Sequence, residues 1–583
     1  MRQTPESMVR LAAPSRRGPP ATIMRMPIAS ARGATRLPLA GVAFLALADT
    51  AIVALALPPI LTEFDTGVAG VAAVLGVYAV VLGVALLPAE WLGRQWGIRA
   101  LGLLGVALFG IGSLVCGLAE GIELLLAARA VQALGGALLL VTTHAILVGD
   151  RRRATGQTLT LWRQAALLGM AAGPAIGGAL TQAFGWRSIF LIQVPAALAA
   201  VPACLTAPGA AALRRRASRP AGPLQLAALA LVSGAIAAAL FLTVLMLISG
   251  WSIEPLAAAA VVSVMPLSAL AAARIAGPAG TRAVAGALLV AAGAAALALI
   301  PTASVAWTIL PQAVVGAGMG LALTALSGEL LPDRDGYESA RLLTMRHLGI
   351  ALALLILAPV AQHELDTTLQ DTRLRGAALI LDARIDPRLK LELAPKLNGS
   401  VETEDPRGGL DEVFADGRVE VGSDELGSYD DLADRADDLL VTAVNDGFRT
   451  AFLIAAGLAL FAAALLALAA PVAAGAPAVG YVAVGAVAGV LVFGLLAQSV
   501  RPEPVTIADP CEDRQLPSSG GVAGFAQDAA LIAADKVACR VGSSREELVL
   551  ALADKEASRE YEKRYGVNPR SAIDVLGGLL PGR

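Results

Sequence analysis

Asp49 sits midway along an apolar run, in the stretch ADTAIVALALP, and Arg129 lies inside another, in RAVQALGGA. An ionised side chain in a bilayer costs about 3 kcal/mol or more unless it is partnered, so each such residue is a functional hypothesis by default. Burial favours the protonated carboxyl, which makes Asp49 a candidate proton carrier or a contact for a cationic substrate; a structural hydrogen bond at a span crossing is the other reading. Arg129 is always charged. Beside a carboxylate it would favour the ionised form and expel the proton, or it would tie carbonyls and carboxylates together structurally. Tyr78, His144, Trp162, Arg163, Gln164 and Gln312 are further polar groups within apolar runs and candidates to line a cavity, together with Met319; Arg163 could equally snorkel to the surface. Glu329, Arg346 and His347 are expected near span ends, which puts any coupling chemistry in the first half of the chain.

Other chemistry is thinly provided. Three histidines and four cysteines are too scattered for a metal site. No Walker loop is present, and GAGMG at Gly316–Gly320 lies within an apolar run with no strand before it, as packing glycines would. No cofactor, no metal, no nucleic-acid partner and no enzymatic constellation is expected; a proton gradient would supply the energy.

The elements that must position these residues are membrane spans. The chain has 583 residues, 56% of them hydrophobic and 16% charged, with a mean hydropathy of +0.68. Soluble domains carry about 25% charged residues. Apolar runs of spanning length recur at 39–59, 68–88, 100–118, 122–148, 158–181, 188–207, 224–249, 255–273, 284–300, 305–328, 342–361, 447–470 and 477–498, which makes thirteen. Loops assigned to the cytoplasm carry Arg94, Arg99, Arg151 to Arg153, Arg214 to Arg216, Arg219, Arg274, Arg282, Arg334 and Arg341, whereas those assigned outside carry only Arg187. By the positive-inside rule the basic segment 1–38, with seven Arg and one acid, is a disordered cytoplasmic tail. A cleaved leader is not expected there, because the run that follows is of full spanning length and no small-residue cleavage site closes it. Lysine is scarce, with none before Lys390, and Ala and Gly are abundant, a composition that points to a GC-rich bacterium and so to a bacterial plasma membrane.

Gly169, Gly173, Pro174, Gly177 and Gly178 punctuate the fifth run, in GMAAGPAIGG. Each Gly or Pro would cost about 1–3 kcal/mol in a soluble helix, whereas in a membrane small residues let helices pack backbone to backbone. With Gly185, Trp186, Arg187, Ile189, Phe190 and Pro195 after it, this stretch resembles the fifth and sixth spans of the major facilitator superfamily, drug:proton antiporter branch. Asp49, Ile52, Val53, Ala56, Leu57 and Pro58 are similar to the family's first-span motif LDxTIVNVALP, with Ala51 and Ala54 replacing its Thr and Asn. Arg129, Gln132, Gly135 and Gly136 resemble RxxQGxGG, with Ala133 for the first Gly; in relatives this Arg is implicated in proton transfer. The gating loop matches less well. Leu92, Gly97 and Arg99 align with GxLaDrxGrr, but Arg94 takes the position of the Asp that helps lock the inward gate, and Glu90, one turn away, could substitute for it.

The resemblance covers about 38–361 plus 447–470 and implies an all-α polytopic fold, a twelve-span core in two six-span halves. The expected division is an N-terminal half 39–207, a linker 208–223, a C-terminal half 224–361 with 447–470, and one extra span 477–498. A miscounted span in the second half is the alternative, and it would reverse the side of the C-terminus. The insert 362–446 holds 21 acids against nine bases. It is expected outside, as a helical hairpin (Leu369–Ile385 and Asp430–Asn445) with a floppy acidic tip at 401–428. Residues 499–583 are expected as a small extracytoplasmic helical domain. Its predicted helices are Gly521–Arg540, about twenty residues opening at a Ser544-x-x-Glu547 capping box, and Pro569–Leu580. In an oxidising compartment Cys511 and Cys539 would pair, while Cys116 and Cys204 would pack as small apolar residues.

The function this predicts is a secondary active transporter that exchanges protons for exported drugs or other apolar or cationic small molecules by alternating access, its partners being substrate, protons and the lipid bilayer. Two rivals stand beside it. The two outer modules could take an extracytoplasmic partner and make the core a membrane platform, or the same fold could import a nutrient.

Overall fold

The computed structural model describes residues 36–148, 169, 172–207 and 222–571, apart from 328, 332–335, 391, 394–395, 397–405, 420, 470–475, 515, 518–520 and 554. The described membrane part is helical throughout. Among the described residues twelve helices are long and apolar enough to cross a bilayer, and they coincide with twelve of the thirteen expected runs. Five belong to the first half: α1 (Leu37–Ala54), α2 (Val68–Trp96), α3 (Ile98–Gly117), α4 (Ile122–Leu147) and, after the fifth run, α6 (Ser188–Leu205). The fifth run itself lies mostly outside the described residues; its helix α5 is seen at 172–184. The second half begins with α7 (Pro223–Gly250), α8 (Pro255–Ala272), α9 (Ala279–Leu297), α10 (Val305–Leu326) and α11 (Gly336–Asp382).

Local signals set the helix ends. Pro223 and Pro255 occupy the first helical position of α7 and α8, where a missing N–H costs nothing. Gly97 joins α2 to α3 alone, at φ +85°, and Gly185 turns α5 into α6 at φ +78°. Side-chain-bearing residues rarely adopt either conformation. The connection between α2 and α3 is therefore a single tight turn.

The insert is built on continuous helices rather than appended. α11 runs on past its apolar part to Asp382, and after α12 (Pro406–Arg418) the chain returns through α13 (Leu426–Ala469), which carries the hairpin's second arm into the membrane without a break. Part of the expected floppy tip is folded. α12 packs Leu410 and Phe414 into a small core with Leu379, Ile385, Leu393, Tyr429 and Leu432, and Tyr429 donates a hydrogen bond to the Phe414 carbonyl at 2.8 Å. The base is rooted in the second half: Trp251, at the end of α7, donates to Asn445 at 3.0 Å, and Arg407 bridges to Asp437 at 2.7 Å and to the Trp251 carbonyl at 3.3 Å.

The extra span, α14 (Ala476–Val500), lies against α9 at the bundle's edge. Only 6% of its apolar window is buried, so nearly all of it is left to lipid. Beyond it come α15 (Gly521–Val541), α16 (Arg545–Ala553) and α17 (Lys555–Tyr565). The single helix of about twenty residues expected after Ser544 is thus two helices, and most of the stretch Pro569–Leu580 lies outside the described residues. The capping box is reciprocal: Ser544 N donates to Glu547 at 3.0 Å, and Glu547 N to Ser544 Oγ at 3.1 Å. Cys511 and Cys539 are joined in a disulfide, 28 residues apart in sequence. Closing a loop of that length stabilises by about 3–4 kcal/mol in the chain-entropy account. Reductant, or Cys539→Ser, is accordingly expected to lower the thermal midpoint of the C-terminal domain while leaving the membrane bundle's transition in place.

The two extramembrane modules touch. Arg545 reaches Asp382, at the end of α11, at 2.7 Å, and Arg501 pairs with Asp446 at 2.5 Å. Near this junction Lys390 donates to the Leu381 carbonyl at 3.0 Å. Burial brings its ammonium down from the usual lysine range to about 8, with Asp382 opposing the shift and Arg545 adding to it. Below pH 8 the amine is charged folded and unfolded, and the burial penalty is complete. As pH rises toward the ordinary lysine value the folded form sheds its proton first and the penalty disappears. Thermal stability of the extramembrane part is therefore expected to climb from pH 8 to about pH 10, and Lys390→Met should flatten that climb.

Candidate functional site

Asp49 and Arg129 meet at the centre of the first half, both wholly buried. Arg129 Nη1 donates to Asp49 Oδ1 at 2.9 Å and Nη2 to Oδ2 at 2.5 Å, a bidentate fork. Two more of its donors are used. Arg129 Nε reaches the Val74 carbonyl at 3.2 Å, and Nη1 also reaches Gln132 Oε1 at 2.6 Å. Gln132 passes the chain on to Ser113 Oγ at 2.9 Å and Gln193 Oε1 at 3.2 Å. The guanidinium lies over the Tyr78 ring at 4.2 Å, with Phe190 at 5.6 Å, and Tyr78 donates to the Ala46 carbonyl at 3.2 Å. One arginine therefore ties α1, α2 and α4 together, and Gln132 extends the network to α3 and α6. Such a buried pair is costly to desolvate, and here four of the five guanidinium N–H groups and both carboxylate oxygens are hydrogen-bonded.

Glycines make this closeness possible. A Cβ on Gly177 would stand 2.2 Å from the Ile52 carbonyl oxygen, and one on Gly173 2.7 Å from the Ala51 methyl; Gly169 faces the Phe44 oxygen at 3.0 Å. These three, four residues apart, form the face of the fifth run that meets α1. Gly178 points elsewhere: its Cβ would fall 2.3 Å from Ala259 and 2.8 Å from the Pro255 carbonyl, both on α8 of the other half. Pro174 lines the space between the halves.

That space is a cavity of about 70 Å³ bounded by α1, α5, α7, α8, α10 and α11. Its wall is mainly aliphatic, with Met265 and Met319 among its members, and its polar groups are Thr50, Ser233, Arg346 and His347. Here the sequence-based expectation needs correction. Arg346 and His347 were expected near a span end, because the apolar run begins at 342; α11 in fact begins at Gly336, which carries both a further turn and a half into the bundle. Met319 lines the cavity as expected, but Tyr78 and Gln312 do not. Tyr78 is sealed beneath Arg129, and Gln312 turns back to donate to Thr308 of its own helix at 3.0 Å. His144 lies in a separate crevice with Glu90, Gly336 and Leu343, between α2, α4 and the start of α11. Trp162, Arg163 and Gln164 lie outside the described residues.

Near the end of α2 Glu90 is buried and ion-paired with Arg94, one turn on. A Cβ on Gly336 would lie 3.8 Å from Glu90 Oε1, so the carboxylate stands at the N-terminus of α11, where a helix dipole favours negative charge. Arg99 is exposed. The halves are also joined by Thr344, which donates to the Gly83 carbonyl at 2.9 Å. At the end carrying the insert, Gln182 bridges to Glu254 and to Leu256 N, each at 3.0 Å, and Ala69 N donates to Gln362 at 3.1 Å.

Comparison with known proteins agrees with this architecture. A family model described as Major Facilitator Superfamily matches residues 39–361. Multidrug resistance protein Stp of Mycobacterium tuberculosis is 36% identical over 154 residues, 26% of this chain and 29% of that protein. Methylenomycin A resistance protein of Streptomyces coelicolor is 32% identical over 232 residues, 39% of this chain and 47% of that protein. The matched segments thus span less than half the length of either relative. The crystal structure of a bacterial homologue of the human lysosomal transporter Spinster, inward-facing and occupied, superposes with a TM-score of 0.50 at 17% identity, over 75% of this chain and 96% of that one. That likeness concerns the fold.

Proposed function

The chain belongs to the Major Facilitator Superfamily, and from that premise we propose that this multi-pass membrane protein is a proton-coupled antiporter. It exports small, largely apolar compounds, its two halves rocking about the cavity between them. The observation that carries the reading is the wholly buried Asp49–Arg129 pair. It is the one place among the described membrane helices where a wholly buried carboxylate is held by an equally buried counter-charge. The names of the similar resistance proteins support export as the direction.

The coupling route follows from adjacency. A proton taken up by Asp49 neutralises the carboxylate and weakens its fork to Arg129, which keeps the Val74 carbonyl and Gln132 as partners. α1 is thereby loosened from α4. The residues after Asp49 on α1, Thr50 and Ala51, are part of the cavity wall, so the protonation state of one face of α1 is transmitted to the substrate on the other. Loss of the proton restores the fork and returns α1. On this reading Gly178 and Ala259 form the sliding seam between halves, Glu90 at the start of α11 serves as the lock at the opposite end from the insert, and the insert and C-terminal domain face the extracytoplasmic side.

The test is proton flux in inside-out vesicles energised to an acid interior. A panel of lipophilic ions, antibiotics and metabolites is added in turn. Proton release on addition of a compound is expected for the wild type. Silence across the panel from folded, inserted protein would overturn the antiport reading.

A further inference from the structure

Two glutamines reach across the seam between the halves at the end that carries the insert, and both reach the same kind of partner. α2 begins at Val68, and its N-cap residue Gly67 has no side chain with which to cap it. The N–H of Ala69, the second residue of the helix, donates instead to Gln362 Oε1 on α11, at 3.1 Å. A Cβ on Gly67 would stand 2.8 Å from the same side-chain amide, so the glutamine fills the place a local cap would take. α8 begins at Pro255, and Glu254 before it makes no side-chain cap bond. Here the N–H of Leu256, again the second residue, donates to Gln182 Oε1 on α5, at 3.0 Å. Glu254 accepts from Gln182 Nε2 at 3.0 Å. An ionised carboxylate only accepts, which turns the amide oxygen toward Leu256.

The second N–H of a helix has no intrahelical partner and is one that an N-cap side chain ordinarily satisfies. In both helices it is satisfied from the opposite half. The fifth span of each half caps the second span of the other, as two like halves related by an axis along the membrane normal would place them. We propose that Gln182 and Gln362 form the gate at the insert end, a matched pair of helix caps supplied in trans that hold this end shut and are both given up when it opens. This rests on the alternating-access reading above and names residues that set its conformational balance. The physical case is connectivity. Each bond joins one half to the other, so neither survives separation of the halves at this end, whereas the hydrogen bonds within each helix do. Opening forfeits both caps together, so their strength weights the balance between the closed and open forms. Gln362 stands where α11 passes from its apolar part into the insert, which makes the foot of the insert's first arm one half of the gate.

Thr50→Cys, on the cavity wall, reports which end is open through its labelling by an impermeant maleimide in vesicles of each orientation, with labelling of the unsubstituted protein as background. Rates are measured for Thr50→Cys alone and combined with Gln182→Met, Gln362→Met, both of these, or Gln362→Glu. Methionine keeps the length of the side chain and removes the acceptor. Each single replacement is expected to raise labelling from the insert side about fivefold, the usual effect of losing an N-cap. The pair should raise it about 25-fold, since the two bonds share no partner and act on one equilibrium. Labelling from the opposite side should not rise. Gln362→Glu keeps an acceptor at a helix N-terminus and should label like the parent. Unchanged labelling from the insert side in the double replacement, a matched rise from both sides, or Gln362→Glu behaving as Gln362→Met would overturn the proposal. The single replacements decide it if the double does not fold. Proton release in the vesicles separates the gate from the reading it rests on. A one-sided shift in labelling without proton release for any compound removes antiport and keeps the gate. Proton release with labelling unmoved by the replacements keeps antiport and removes the gate.

Discussion

Asp49→Asn is expected to reduce substrate-driven proton release to background and, at the same time, to destabilise the first half of the bundle. Both effects trace to the same fork. Asparagine has nearly the shape of the carboxylate but neither takes up a proton in its place nor neutralises Arg129, which stays wholly buried. Removing one partner of a buried ion pair costs about 3–5 kcal/mol, most of it the uncompensated charge left behind. Gln132 and the Val74 carbonyl soften that cost. Coupling and stability are separated by a second replacement. Arg129→Gln added to Asp49→Asn removes the stranded charge and should recover much of the lost thermal stability without restoring flux. Folded Asp49→Asn protein that still released protons would place the carrier elsewhere.

Two adjacent glycines should behave quite differently. Gly177→Ala sets a methyl 2.2 Å from the Ile52 carbonyl oxygen, a backbone atom of the same half that cannot move aside. Overpacking of that kind costs about 1–3 kcal/mol, with the backbone of α1 and α5 forced apart. The expected outcome is a lower melting temperature together with loss of transport. Gly178→Ala clashes as hard, at 2.3 Å, but with Ala259 across the seam between halves. The halves relieve it by separating there, so a penalty of similar size shifts the balance between conformers by roughly 5- to 150-fold while each half keeps its fold. A cysteine placed at Thr50, on the cavity wall, reads this directly through its labelling rate by impermeant thiol reagents from each side of the membrane. Matched loss of stability in both variants, with no change in labelling for Gly178→Ala, would show that α5 and α8 do not move against each other.

Much of this site could be read from the chain because charge is expensive in a bilayer. Asp49 and Arg129 stood out as ionisable residues inside apolar runs, and the structure brings them together. Gln193 and Ser113 did not stand out: uncharged and single in apolar helices, they gain meaning only once Gln132 reaches both of them. Arg346 and His347 were misplaced because an apolar run was taken for the whole helix. The Gly336-Tyr-Glu-Ser start of α11 is polar, so a hydropathy pattern reports the lipid-facing length and not where the helix begins. The acidic tip was misread for the opposite reason. Its charge suggested a solvated chain, yet Leu410 and Phe414 lie four apart on one face of α12, spacing enough to bury a helix against Tyr429. Neither the cavity nor the contact between Arg545 and Asp382 had a local signature, since each joins segments far apart in sequence.

Apart from the bond from Ala69 to Gln362 at its base, the extramembrane mass is fastened to one side of the bundle. Arg407 and Asn445 meet Trp251 at the end of α7, Arg501 meets Asp446, and Arg545 meets Asp382; all of these anchors belong to the second half or its extensions. In mechanical terms the insert and C-terminal domain are a pointer mounted on one jaw of a clamp. The extramembrane arm of α11, residues 362–382, is about 30 Å long at helical rise. A tilt of that jaw by about 15°, the size of rotation seen in other molecular switches, would sweep its tip through about 8 Å. A movement small at the cavity is thus magnified where antibodies, partner proteins or distance probes can reach it.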